Sequence, residues 1–216
     1  GESILLDFKN KGNDIILGGL NLDDILEHVP KMLKGNFEGT NRINKIISGL
    51  KDYSAIPSET ELEIIDINKA IRFSITLLER KIKESSSELV TELEENLPGP
   101  QGIPQQIEQV IINLLQNSII AMGTRRGKIT ISSHYNKKSD CIKIIVKDEG
   151  IGIEKKNLSR VTEPFFTTSR AHGGTGLGLY ISYSIIKQHE GKIDIDSVRG
   201  KGTTITVSIP VRREIK

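Results

Sequence analysis

Gly173-Gly174-Thr175-Gly176-Leu177-Gly178-Leu179 runs directly into an apolar, helix-patterned stretch, and the reading of this glycine run decides the fold. Glycines with free N–H groups ahead of a helix N-terminus form an anion cradle, so the run points to phosphate. A Rossmann fingerprint needs glycines at the first, third and sixth positions, which the run does not supply. No Gly-Lys-Ser/Thr follows, as a P-loop requires. Both common α/β nucleotide motifs are excluded, and the phosphate site has to belong to another architecture.

Working outward, the helix predicted over residues 178–189 is stopped by Gly191, and strands are predicted at 192–196 and 204–209. Upstream, residues 129–134 and 142–146 read as strands joined by a polar turn at 136–140. Residues 105–122 read as a helix with Pro104 in its first turn, after a turn at Pro98-Gly99-Pro100. Residues 61–67 and 88–93 read as strands, and 69–83 as an amphipathic helix between them. Strands with interspersed helices predict an α/β fold, a two-layer sandwich whose mixed sheet is covered on one face by helices.

On the helix 105–122, a wheel places Ile107, Ile111, Leu114 and Met122 in a core arc, with Asn117 at its edge beside Val110. Asn113 and Gln109 lie one and two turns earlier on the same side. Asparagine is a poor helix former, so two on one stripe ask for a reason. An amide oxygen suits a hard cation such as Mg²⁺; a solvated polar edge is the simpler account of the helix taken alone. Asp148-Glu149-Gly150-Ile151-Gly152 follows a strand. Its carboxylate can accept from an exocyclic amine while the glycines admit a flat ring, although an ordinary turn would look the same.

Composition narrows the class further. The 216 residues carry 30 Lys+Arg against 28 Asp+Glu, a formal charge of +2, which asks for neither nucleic acid nor an anionic membrane. No run of ~18 apolar residues exists, and the first residues lack a signal peptide's pattern, so a soluble, cytoplasmic region without membrane contact is expected. The single cysteine, Cys141, reads as a small strand residue. Near the N-terminus, Ile43, Ile46, Ile47, Leu50 and Tyr53 form one helical stripe over residues 40–54, ended by Pro57-Ser58. A short helix candidate at 22–33 contains Pro30.

Five segments in order, Asn113-Leu-Leu-Gln-Asn117, Asp148-Glu-Gly-Ile-Gly152, Glu163-Pro-Phe-Phe-Thr-Thr168, Gly174-Thr-Gly-Leu-Gly-Leu179 and Gly200-Lys-Gly-Thr-Thr204, resemble the N, G1, F, G2 and G3 boxes of two-component sensor histidine kinases. The resemblance covers about residues 58–216. It implies a Bergerat-type sandwich with ATP between helices and a mobile lid, in a superfamily shared with gyrases, heat-shock chaperones and mismatch-repair ATPases. By this resemblance Asn117 holds Mg²⁺ and Asn113 binds nearby polar groups or water. Asp148 recognises the adenine amine, and Gly150 and Gly152 shape that wall. Phe165 and Phe166 pack beside the lid next to Thr168. Gly174, Thr175, Gly176, Leu177, Gly178 and Leu179 form the phosphate loop, and Thr203 backs the adenine end through its hydroxyl. Many family members carry a lysine where this chain has Ile120, so Arg125, Arg126, Arg170 or His172 are candidates for a phosphate contact, with solvated loop charge the simpler reading of each. His189 is read as a helix C-terminal cation facing the dipole.

The resemblance also casts residues 1–57 as part of an α-helical dimerisation segment and residues 58–216 as the ATP-binding catalytic domain. It implies a homodimer through the N-terminal helix and relay of the phosphoryl group to a response regulator receiver domain. The phosphoacceptor box expected on the first hairpin helix, His-Glu/Asp followed by Asn and Pro, is missing: His28 lies in Glu27-His28-Val29-Pro30. The acceptor is therefore expected upstream of Gly1, and this chain is expected not to label itself. Two rivals stand beside the kinase: another ATPase of the superfamily, and a nucleotide-sensing, partner-binding scaffold that transfers nothing.

Overall fold

The computed structural model describes residues 16–17, 20–21, 28, 31, 62–85, 87–168 and 175–211. The chain divides into two compact units, Gly1–Ser48 and Gly49–Lys216. In the first, β1 (Ile16–Leu17) pairs antiparallel with β2 (Leu20–Asn21). The apolar stripe from Ile43 to Tyr53 and most of the helix candidate at 22–33 lie outside the described residues.

Among the described residues the second unit opens with β3 (Glu63–Ile64), which pairs antiparallel with β5 (Gln101–Gly102). The strand expected over 61–67 is thus confined to two residues. Asp66 ends it, because its carboxylate accepts from Lys69 N at 2.9 Å and so caps α1 (Ile67–Glu84). Ile65 and Ile67, which read as strand residues, are instead core residues flanking that cap.

The main sheet has five strands: β4 (Ser87–Leu93), β6 (Gly127–Asn136), β7 (Cys141–Asp148), β8 (Lys192–Val198) and β9 (Gly202–Pro210), in the order β4-β6-β7-β9-β8. The β4–β6 pair is parallel and the others antiparallel, which makes the sheet mixed. Alternation sorts its two faces. Ile129 and Ile131 on β6, Ile142, Ile144 and Val146 on β7, and Ile205, Val207 and Ile209 on β9 are buried. Their neighbours Thr130, Ser132, Lys143, Lys147, Thr204 and Thr206 lie on the opposite face. Between β6 and β7, Asn136 Oδ1 accepts from Lys138 N at 3.0 Å and Tyr135 donates its hydroxyl to Asp140 at 2.6 Å, fixing the polar turn. Cys141 is half-buried at the start of β7, as a small strand residue would be.

The apolar face is covered by α1, α2 (Pro104–Met122) and α4 (Gly178–Gln188); a short α3 (Lys155–Leu158) lies in the intervening loop. On α2, Ile107, Val110, Ile111, Leu114, Leu115 and Met122 are at most 1% exposed, so each contributes about 1.5–3 kcal/mol by burial. This central helix touches both other covering helices, and its polar edge is thereby held beside α4. Among the described residues no helix is long and apolar enough to cross a membrane.

Candidate nucleotide site

β7 ends in Asp148, whose register partner on β9 is Thr203. Both side chains fall on the helix-covered face and both are buried, at 5% and 7% exposure. Asp148 Oδ1 accepts from Gly150 N at 2.9 Å, Oδ2 accepts from the Ser118 hydroxyl at 3.4 Å, and the Thr203 backbone N–H also donates to the carboxylate. Burial raises the Asp148 pKa above the ordinary carboxylate value, and the three donors oppose that shift without cancelling it. A carboxylate has about four lone-pair sites, so one acceptor position is left for an incoming donor.

The loop after Asp148 is held on two sides. Ile151 N donates to Ala121 O at 3.0 Å, at the C-terminal end of α2, and Gly200 N donates to Ile151 O at 2.7 Å from the β8–β9 turn. Gly150 lies so close to α2 that a Cβ would sit 2.6 Å from Ala121 O, and Gly152 passes over the Val198 carbonyl. Arg125, read as a solvated charge or a phosphate contact, reaches back to Gly150 O at 3.5 Å.

The other end is the N-terminus of α4. Its N-cap, Leu177, makes no side-chain cap bond to the first turn. Asn113 holds this turn in place, donating to Gly178 O at 3.1 Å and Ser182 Oγ at 3.3 Å while accepting from Gln109 at 2.9 Å. Its amide is therefore engaged within the protein. Asn117, one turn further along α2, is exposed and has no hydrogen-bond partner among the described residues.

Gly176 and the Phe165-Phe166 segment are brought together. Gly176 has φ +72°, and a Cβ there would lie 2.5 Å from the Phe165 carbonyl carbon and 2.7 Å from the oxygens of Phe165 and Phe166. Phe165 itself has φ +64°, a strained conformation for a bulky residue. The Arg160 guanidinium stands 4.6 Å from the Phe166 ring centroid and bonds Glu163 at 3.1 Å. Thr175 is half-buried, its hydroxyl accepting from Leu177 N at 3.4 Å. Leu177 is buried and Leu179 packs against the core. Thr168 is exposed at the end of its segment, and Gly174, Arg170 and His172 lie outside the described residues.

His189 does not behave as a helix-end cation. It is 2% exposed, its Nε2 accepts from Ile103 N at 3.2 Å, and its Nδ1 lies 2.8 Å from Ile185 O. A nitrogen that accepts an N–H carries no proton, so the ring is the neutral Nδ1–H tautomer. The side chain joins the C-terminal end of α4 to the N-terminal end of α2, where Gly102 leaves room for the ring. Sequence reasoning also passed over Ser118, Ser197 and Gly202. Gly202 stood within a quoted motif, whereas nothing local marked the two serines.

Residues 102–213 match the family model described as histidine kinase-, DNA gyrase B-, and HSP90-like ATPase. The chain is 35% identical over 194 residues to sporulation kinase E of Bacillus subtilis (strain 168), covering 85% of this chain and 26% of that protein. The catalytic domain of histidine kinase ThkA is 32% identical with a TM-score of 0.62, covering 70% of this chain and 97% of that one. ThkA in complex with the response regulator protein TrrA matches at 29% identity and a TM-score of 0.65, covering 82% of this chain and 50% of that one. The chain spans 26–36% of the length of the first curated relatives that it matches.

Proposed function

Because the chain belongs to the histidine kinase-, DNA gyrase B- and HSP90-like ATPases, as a histidine kinase catalytic domain of the two-component type, we propose that it places ATP with adenine against Asp148 and the phosphates at the N-terminus of α4. From there the γ-phosphoryl group passes to a histidine of the dimerisation helix, and then to an aspartate of a response regulator receiver domain. The observation that carries this reading is the buried Asp148 carboxylate with one acceptor position left, set at the sheet end beside α2. An exocyclic amine is the donor that such a position selects.

Phosphoryl transfer asks mainly for positioning and charge stabilisation, and each part of this site supplies one of these. The loop clamped between Ala121 and the β8–β9 turn fixes one wall of the base site. Asn113 fixes the first turn of α4, whose N–H groups and dipole favour the phosphates. Among the described residues no group of three or more His, Cys, Asp or Glu could hold a metal. The residues do fit a Mg²⁺ that takes most of its oxygens from phosphates and water, with the unpartnered Asn117 amide as the protein's donor. Bound there, the ion would neutralise charge developing on the phosphates.

The partners follow the same reading: a second copy through the helix expected over residues 40–54, and a receiver domain, as supported by the ThkA–TrrA complex. The domain works in the cytoplasm, where ATP is supplied. The test is γ-radiolabelled ATP with the whole protein. An acid-labile label that Asn117→Ala abolishes is expected, and an unlabelled protein that still binds ATP would favour the scaffold reading.

A further inference from the structure

Ser197, Thr203 and Asp148 form a row across β8, β9 and β7, since Ser197 and Asp148 are both register partners of Thr203. Ser197 Oγ has three neighbours: Ile153 N at 2.8 Å, Gly202 O at 2.9 Å and Thr203 Oγ1 at 2.9 Å. A hydroxyl has one proton and two lone pairs, and only one arrangement satisfies all three contacts. The Gly202 carbonyl can only accept, so it takes the Ser197 proton. Ile153 N–H can only donate, so it occupies one lone pair. The second lone pair faces Thr203, which must therefore donate its own proton to Ser197. Gly202 is held for this task by φ +108°, a conformation open to glycine alone, with no room for a side chain against the Asp148 carbonyl.

The consequence falls on Thr203. With its proton committed to Ser197, its hydroxyl offers lone pairs only, beside a carboxylate that offers lone pairs only. Resting on the nucleotide reading above, we propose that Ser197 is a positioning residue that sets the polarity of the Thr203 hydroxyl. This end of the site then accepts but does not donate, and favours a 6-aminopurine nucleotide over a 6-oxopurine one. A 6-amino group brings protons to these acceptors, whereas a 6-oxo group sets a carbonyl against them. Without the Ser197 oxygen, the Thr203 hydroxyl is free to rotate and donate to that carbonyl.

The experiment is calorimetric titration of ADP and IDP, both with Mg²⁺, into the parent, Ser197→Ala, Ser197→Thr and Thr203→Val. The parent is expected to prefer ADP. Ser197→Ala is expected to lower the ADP:IDP affinity ratio by about 5–10-fold, as expected for one hydrogen bond. Ser197→Thr, which keeps the hydroxyl, should restore the parental ratio. Loss of structure alone would weaken both nucleotides together and leave the ratio unchanged, and that result in Ser197→Ala overturns the proposal. If Ser197→Ala does not fold, Thr203→Val decides: a lower ratio supports the proposal and an unchanged one overturns it. A parent that binds ADP and IDP equally refutes the selectivity while leaving the site assignment standing. A parent that binds neither refutes the nucleotide reading and the proposal with it.

Discussion

Gly176 and Gly178 look alike in sequence, yet the structure assigns them opposite responses to the same substitution. Gly176 has φ +72°, and an alanine Cβ would lie 2.5 Å from the Phe165 carbonyl carbon, inside the approach of any real methyl group. The left-handed conformation costs an L-residue about 1–2 kcal/mol. Overpacking against a backbone that cannot rotate away adds about 1–3 kcal/mol. Gly178 opens α4, has no positive φ, and a Cβ there would meet nothing nearer than Asn113 at 3.7 Å, an ordinary contact. Alanine at such a site stabilises by about 0.4–1 kcal/mol through the unfolded chain. For a domain of this size 1 kcal/mol moves Tm by about 2–4 °C. In thermal melts without nucleotide, Gly176→Ala should therefore fall by at least about 4 °C, and Gly178→Ala should rise by about 1–4 °C. Equal losses in the two variants would refute the argument that only Gly176 is demanded by the fold.

Asp148 should show a pH signature. Its folded-state pKa is raised by burial, so the folded chain holds this proton more tightly than the unfolded one, and the associated stability is present at low pH and lost as pH rises through the folded value. The Tm of Asp148→Asn relative to the parent should accordingly grow as pH rises above the ordinary carboxylate range; a difference that shrinks would contradict the burial. His189→Ala should cost about 2–4 kcal/mol in urea melts, because it leaves the Ile103 N–H without its acceptor and opens a cavity. Imidazole nitrogen shifts in the parent should report an Nδ1–H tautomer, and an imidazolium pattern would refute that bridge. Residues 1–216, in which none of His28, His134, His172 and His189 lies in a His-Glu/Asp box followed by Asn and Pro, should bind nucleotide without labelling themselves from γ-radiolabelled ATP; robust acid-labile labelling would contradict this.

What the sequence made legible was set by periodicity. The apolar arc of Ile107, Ile111, Leu114 and Met122 is the buried face of α2, and alternation along residues 142–146 and 204–209 located β7 and β9 within two residues at either end. The strand expected at 61–67 went astray because apolar residues on both sides of Asp66 imitate alternation, while its side chain caps a helix. His189 was misread for a different reason. Its position at a helix end is local information, but its acceptor role depends on Ile103, 86 residues away, and on the space left by Gly102. The roles of Ser118 and Ser197 depend likewise on the order β7-β9-β8 and on α2 ending over Asp148, facts of topology that no local pattern records.

The central claim is that Asp148 reads the base of a Mg²⁺-dependent adenine nucleotide, and calorimetry of ADP binding to the parent and Asp148→Asn tests it most directly. The substitution replaces a charged acceptor by a neutral amide, and charge-assisted hydrogen bonds are roughly twice as strong as neutral ones. It also turns an amide N–H toward groups that already donate: Gly150 N, Thr203 N and the Ser118 hydroxyl. The account predicts measurable ADP binding to the parent that weakens when Mg²⁺ is chelated, and a loss of about 100-fold or more in the variant, for about 3 kcal/mol. Adenine nucleotide affinity unchanged in a folded Asp148→Asn protein would contradict it.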